Sequence, residues 1–233
     1  MECKRWAVII PILMIFLVFS FGCGIGEASS TEIEMKISLP EPAHDSDTSL
    51  EQALLGRRSV RSFSNETITL QQLSQLLWAG QGITDPSGKR TAPSAGALYP
   101  LKLYVVVGNV EGVAAGVYEY EPTTHALKKV MDGDQRQALA QAALNQSSVR
   151  QGSIDFVITA IYEITTVKYG ERGVRYVHME AGHAAQNICL EAVALNLGAV
   201  TVGAFDDTAV QKALALPDDE VPLYIIPAGN PID

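Results

Sequence analysis

Cysteine is scarce: three residues in a chain of 233, at positions 3, 23 and 189. Cys3 and Cys23 fall at or before the end of an N-terminal apolar run, so Cys189 is alone in the body and no internal disulfide can brace it. Positive charge is also short. Seventeen Lys and Arg face 26 Asp and Glu, a net charge of −9. Such a surface repels a phosphate polymer, so nucleic acid is not an expected partner. Charged residues make up 18% and hydrophobic ones 47%, which excludes a disordered chain and a coiled coil. There is no Gly-x-Gly-x-x-Gly after a strand, no Walker loop, no Gly-x-Ser-x-Gly elbow and no His-Glu-x-x-His. Dinucleotide-binding, P-loop, serine-hydrolase and zinc-protease readings therefore lack their carriers.

Only one long uncharged apolar run is present. Lys4 and Arg5 precede Trp6 to Gly22, which contains Pro11. It is shorter than the ~20 residues a spanning helix needs. The pattern predicts an export signal over residues 1–22. Phe19-Ser20-Phe21-Gly22-Cys23 resembles a lipobox, with Ser20 where that motif prefers Leu, so Cys23 is the expected lipidation site. An uncleaved anchor is the alternative. Residues 23–47 are rich in Ser, Glu, Asp and Pro and read as a tether, with a structured end near Ile37-Ser38-Leu39-Pro40. Residues 48–233 are the expected domain.

Within that domain the hydrophobic period switches between helix and strand. Helices are expected over 49–55, 69–79, 135–144 and 176–197. Strands are expected over 103–107, 154–161, 199–202 and 223–226, with a hairpin of 117–120 and 127–130. Thr69 and Gln72 match a capping box ahead of Leu70, Leu73, Leu76 and Leu77. The helix over 176–197 is apolar nearly all round and should lie centrally. The interleaving has no strict repeat, which predicts an α+β fold.

Five clusters could carry chemistry. Arg57-Arg58-Ser59-Val60-Arg61-Ser62-Phe63 gathers three guanidiniums, whose rigid forks suit phosphate, though a solvated charged turn is the plainer reading. Thr91 to Pro100 is a slim loop of small residues that lets backbone donors approach a flat ligand, or simply connects. Lys168-Tyr169-Gly170-Glu171-Arg172-Gly173 holds two proton donors, or is a polar turn. His178 and His183 are five apart, about 140° around a helix, so they do not share a metal-binding face and no metal is expected. Gly203-Ala204-Phe205-Asp206-Asp207 closes a strand and opens a helix, allowing close ligand approach. Cys189 reads as inert packing.

Taken together, these clusters resemble the nitroreductase superfamily of flavin enzymes, and most of all its azoline (SagB-type) dehydrogenase branch. The carriers are Arg57 to Phe63, Pro93 to Pro100, Lys168 to Gly173, Glu180-Ala181-Gly182-His183 with Gln186-Asn187, and Gly203 to Asp206, all in family order. The resemblance implies a central mixed sheet flanked by helices around a long central helix. It implies a homodimer with FMN at the interface. Arg57, Arg58 and Ser59 would hold phosphate and ribityl, and Arg61 would lie near the flavin pyrimidine edge. Ser94, Ala95 and Gly96 would line the flavin from the partner subunit, with Gly203 and Ala204 against the ring. Lys168 and Tyr169 would support proton removal. The reaction implied is an FMN-dependent oxidoreduction of a small-molecule or peptide substrate, such as azoline oxidation to azole. A nicotinamide-dependent nitroreductase or quinone reductase is the second reading, and a non-catalytic binding lipoprotein the third. Two departures stand out: Ala97 occupies the place where general nitroreductases often have Asn, and Gly229 to Asp233 carries no basic residue.

Overall fold

The computed structural model describes residues 36–232. The export signal, Cys23 and the start of the tether lie outside the described residues.

In chain order the elements are β1 (Lys36–Ser38), α1 (Leu50–Gly56), α2 (Leu70–Gln81), β2 (Leu101–Val107), β3 (Gly116–Glu121), β4 (Ala126–Asp132), α3 (Arg136–Ala142) and α4 (Ser147–Gln151). Then come β5 (Ile154–Ala160), α5 (Glu163–Tyr169), α6 (Arg172–Ala194), β6 (Gly198–Ala199), α7 (Asp207–Leu214) and β7 (Val221–Gly229). The strands form one sheet in the order β1-β4-β3-β2-β5-β7-β6. Every ladder in it is antiparallel. The parallel part of the expected mixed sheet reduces to single bridges, Ser59 to Ala199 and Ile68 to Val110.

β2 and β5 sit at the centre and are covered on both faces, which is why their sequences run apolar without alternation. One face of the sheet, with Leu103, Val105, Phe156 and Ile158, packs on α2 and α6 through Leu73, Leu76, Leu77, Val177 and Ile188. The other face, with Tyr104, Val106, Val157 and Ile225, packs on Leu139 of α3, Val149 of α4, and Val210 and Leu214 of α7. Each fully buried Leu or Ile here contributes about 2–3 kcal/mol of transfer free energy. The capping box of α2 is formed: Gln72 N–H donates to Thr69 Oγ1 at 3.1 Å, and Thr69 N–H to Gln72 Oε1 at 2.9 Å.

The ordered body starts well before position 48. β1 pairs with β4, and Leu39 is buried. Ser74 Oγ donates to the Pro40 carbonyl at 2.5 Å, and His125 Nε2 lies 2.9 Å from the same oxygen. A His125 protonated on Nε2 leaves Nδ1 to accept from Tyr120 Oη at 2.9 Å, which satisfies the whole group. Gln75 then bonds both N–H and C=O of Ala43. The helix expected over 176–197 is α6, which starts earlier and stops at Ala194, because Asn196 takes a left-handed φ of 57°. The strand expected over 199–202 shortens to β6, with Val202 still bridged to Ile225.

Candidate functional site

α6 is the spine along which the sequence clusters are arranged. The Pro93–Pro100 loop lies against its N-terminal half. A single 3-10 turn over Ala95–Ala97 shapes this loop, and Gly96, Ala97 and Tyr99 have φ of 63°, 54° and 51°. Left-handed backbone at a Tyr is uncommon and must be held by its surroundings. Tyr99 N–H donates to Ser94 Oγ at 2.9 Å, and Ala95 N–H donates to Glu180 Oε1 at 2.8 Å. Glu180 is 4% exposed on α6 and so ties the loop to the helix through a charge-assisted bond.

Gly96 brings this loop onto the third cluster. A methyl group there would stand 2.7 Å from Tyr169 Oη and 2.8 Å from Lys168 Nζ. Only glycine lets these two donors approach the backbone so closely. Lys168 and Tyr169 end α5, and Gly170 terminates it at φ 57°. Lys168 Nζ lies 5.4 Å from the Tyr169 ring centroid, and Tyr169 meets Tyr176 of α6 edge to face at 5.2 Å. Beside them Ser94 and Ala95 line a cavity of about 250 Å3 with Tyr176, Met179, Glu180 and His183.

Gly203 and Ala204 sit on another side of α6. Both are exposed, and Gly203 lines a cavity of about 240 Å3 with His178, Ala181, Phe205 and Tyr224. The Ala204 carbonyl accepts from Gln146 Nε2 at 3.0 Å. His178 Nε2 is 2.6 Å from Tyr162 Oη. His178 and His183 thus face different cavities, and no cluster of three or more His, Cys, Asp or Glu suited to a metal occurs among the described residues.

The arginine cluster leaves the C-terminal end of α1. Val60 N–H donates to the Ala199 carbonyl at 3.1 Å, and Val60 packs on Gly198, where a Cβ would meet it at 2.6 Å. This anchoring places Ser59 four residues before the Gly203 stretch through its bridge to Ala199. Arg58 Nη1 donates to the Leu55 and Arg57 carbonyls, both at 2.8 Å, where it neutralises the negative end of the helix. Arg61 Nη1 reaches the Ser59 carbonyl at 3.4 Å. Among the described residues no carboxylate pairs with Arg57, Arg58 or Arg61, so three cations stand unneutralised on an acidic chain. Cys189 nearby is buried, and burial pushes its thiol up to about 11, so it is inert.

Three of the five clusters form two groups, and the Gly203–Ala204 stretch and His178 stand together on another side of α6. Ser94, Ala95, Gly96, Lys168 and Tyr169 converge near Glu180. Arg57 to Arg61 lie by Val193 and Ala199, about 20 Å further along the helix axis. A single chain does not bring the groups together. Glu180, a carrier of the resemblance that sequence reasoning gave no site role, is the residue that ties the loop to α6. Its signal was an acid on the apolar face shared with Val177, Ala181 and Ala184.

Comparison with known proteins identifies the family. Residues 54–230 match the model of the nitroreductase family. A protein of Methanocaldococcus jannaschii named as a nitroreductase is 45% identical over 199 residues, 85% of this chain and 98% of that relative. The microcin B17-processing protein McbC of Escherichia coli is 31% identical over 166 residues, 68% of this chain but 61% of McbC. A crystal structure named as a nitroreductase from Anabaena variabilis superposes with a TM-score of 0.77 at 31% identity, covering 86% of this chain and 42% of that one. With three-quarters of its length matched to the family model, and with this fold, the chain belongs to the nitroreductase family.

Proposed function

We propose that this protein is an FMN-dependent oxidoreductase that works as a homodimer, tethered to the membrane through Cys23. The observation that carries the reading is the convergence of Lys168 Nζ and Tyr169 Oη on Gly96, inside a nitroreductase-family fold. The chain's residues fit the cofactor. Arg57, Arg58 and Arg61 have no carboxylate partner among the described residues and suit a phosphate and an electron-rich ring edge. The slim Ser94–Gly96 backbone and the exposed Gly203–Ala204 suit a flat ring. The two groups lie apart on α6 within one chain, and a second copy would let one ring meet both.

FMN, when bound, supplies two-electron chemistry by accepting or donating hydride at N5. The chain supplies the rest. Glu180 holds the Ala95 N–H and fixes the loop that positions substrate. Lys168 and Tyr169 hold or remove the proton that accompanies hydride loss, as expected for oxidation of an azoline-type ring. Lys168 and Tyr169 are what support that reaction, and the 45% identical relative named as a nitroreductase supports nitro-group reduction as the second reading.

Full-length protein extracted from membranes, read by visible absorption and mass spectrometry, tests the assignment. The expected result is a flavin spectrum, released FMN, and a lipid adduct on Cys23. A colourless protein that takes up no added FMN overturns the enzyme reading, and an unmodified Cys23 overturns the tether. Arg57→Ala with Arg61→Ala should lose flavin while remaining folded. Lys168→Ala should keep flavin and lose about a hundredfold or more in azoline oxidation, in the range of a general base. Unchanged turnover removes Lys168 from the chemistry.

A further inference from the structure

On the far side of the Pro93–Pro100 loop from Glu180 lies a cavity of about 500 Å3. Its walls are the loop itself, the start of β2, the β3–β4 turn and the first turn of α5. Half of its lining is apolar or aromatic, Tyr99, Tyr120 and Ile164 among it, and half is polar or charged. Arg90 faces it from the end of the Ile83–Arg90 turn.

The charges around this cavity are unequal in their pairing. Lys102 meets Glu119 at 3.1 Å and Glu220 at 2.9 Å. Lys36 meets Glu121 at 3.0 Å. Arg90 is half-buried and has no carboxylate within ion-pair distance among the described residues. Its Nη1 donates to Gln81 Oε1 at 2.8 Å, and its guanidinium carbon sits 4.6 Å from the Tyr99 ring centroid. Those contacts fix the plane of the fork and leave its other N–H donors without a partner among the described residues. Burial depresses its pKa, which is the mark of a cation short of compensation. Tyr99, held at φ 51° ahead of Pro100, supplies the face on which the fork rests.

We propose that this cavity binds a carboxylate carried on a small aromatic or apolar body, with Arg90 as its anchor and Tyr99 as the plate beneath. A carboxylate matches one guanidinium bidentately. A dianionic phosphate does not fit, because the two lysines of the wall are already neutralised and Glu119 and Glu121 stand among the lining. The carboxylate belongs to a free acid or to a peptide C-terminus, two sources of the same chemistry. The site adjoins Lys168 and Tyr169 through α5, whose first turn carries Ile164, and it is independent of whether flavin is bound.

The test is calorimetric binding to the full protein, using para-nitrobenzoate and its neutral isostere para-nitrobenzamide. Acetyl-phenylalanine against its amide serves as the peptide-terminus arm. Flavin absorbance is recorded on every sample, so loss of flavin and loss of carboxylate binding are read separately. The acid should bind about tenfold or more tighter than the amide, and inorganic phosphate should not compete. Arg90→Gln should abolish that preference, keep amide affinity and keep flavin content. Ile164→Trp narrows the cavity from the opposite wall and should weaken the binding of acid and amide together, which keeps the proposal testable if Arg90→Gln does not fold. Equal affinity for acid and amide in the native protein overturns it. So does a preference that survives Arg90→Gln, or acid binding unmoved by Ile164→Trp.

Discussion

Two carboxylates are buried against one face of β5, and they are compensated in opposite ways. Glu220 is 1% exposed, and Asp155 is fully buried. Glu220 Oε2 accepts from Tyr104 Oη and from Thr159 Oγ1, each at 2.9 Å. Its Oε1 makes no well-directed hydrogen bond but has the Lys102 ammonium at 2.9 Å, an ion contact whatever its angle. Asp155 stands four residues back along the same strand, about 13 Å away. Neither of its oxygens has a hydrogen-bond partner. The nearest cation, Arg136, already bonds Asp134 through Nε and Nη2 and the Gly152 carbonyl through Nη1. A buried acid with partners organises its neighbours, and one without them is pushed toward its neutral form. Glu220 therefore braces the wall of the Arg90 cavity through Lys102, while Asp155 weakens the opposite end of the layer.

Breaking the first arrangement should have the largest effect. Burial works against the charge of Lys102, yet its bonds to Glu220 and Glu119 overcome that and leave its pKa above the ordinary lysine value. Lys102→Met strands the Glu220 carboxylate in the core. Loss of a partner from a buried pair costs about 3–5 kcal/mol, and the partial exposure of Lys102 lowers the expectation to about 2–3 kcal/mol. Tyr104→Phe removes one hydrogen bond to the same carboxylate and should cost about 1.5–2 kcal/mol. Chemical denaturation of both variants checks the order. If Lys102→Met proves the milder of the two, the ion pair is not what compensates Glu220.

How much of this could be read in the sequence differs by element. β2 and β5 were legible because central strands run apolar, and α2 because its capping box and leucine stripe agree. α5 was not: Thr165, Thr166 and Val167 are poor helix formers, and the helix is held by its crossing over Gly173, whose absent side chain would meet the Thr165 carbonyl oxygen at 3.1 Å. The small residues of Pro93–Pro100 marked a slim loop. That Gly96 lies on Lys168 and Tyr169 depends on a contact between distant parts of the chain, and local pattern carries no such information. The family resemblance supplied the grouping instead, and residue chemistry alone left each cluster with a plain alternative. Arg90 gave no signal at all beside Lys89 in a turn. Its meaning comes from which neighbouring cations the fold neutralises and which it does not.

Asp155 offers the finer test of the comparison, because its effect should depend on pH. Burial raises its pKa well above the ordinary carboxylate value, Arg136 opposes that in part, and Asp134 adds to it. The folded protein then binds a proton that the unfolded chain releases between the ordinary carboxylate range and the raised native value. Across that window stability falls as pH rises, since the unfolded state binds fewer protons. Below about pH 4 both states are protonated and the penalty vanishes. Asp155→Asn removes the titration and leaves a neutral group as unpartnered as the protonated acid, so the variant gains stability only where the native carboxyl resists ionisation. Thermal unfolding of the two proteins should therefore coincide near pH 4 and diverge as pH rises, with the variant the more stable. Curves that stay parallel across this range would mean that Asp155 is compensated after all, and the contrast with Glu220 would dissolve.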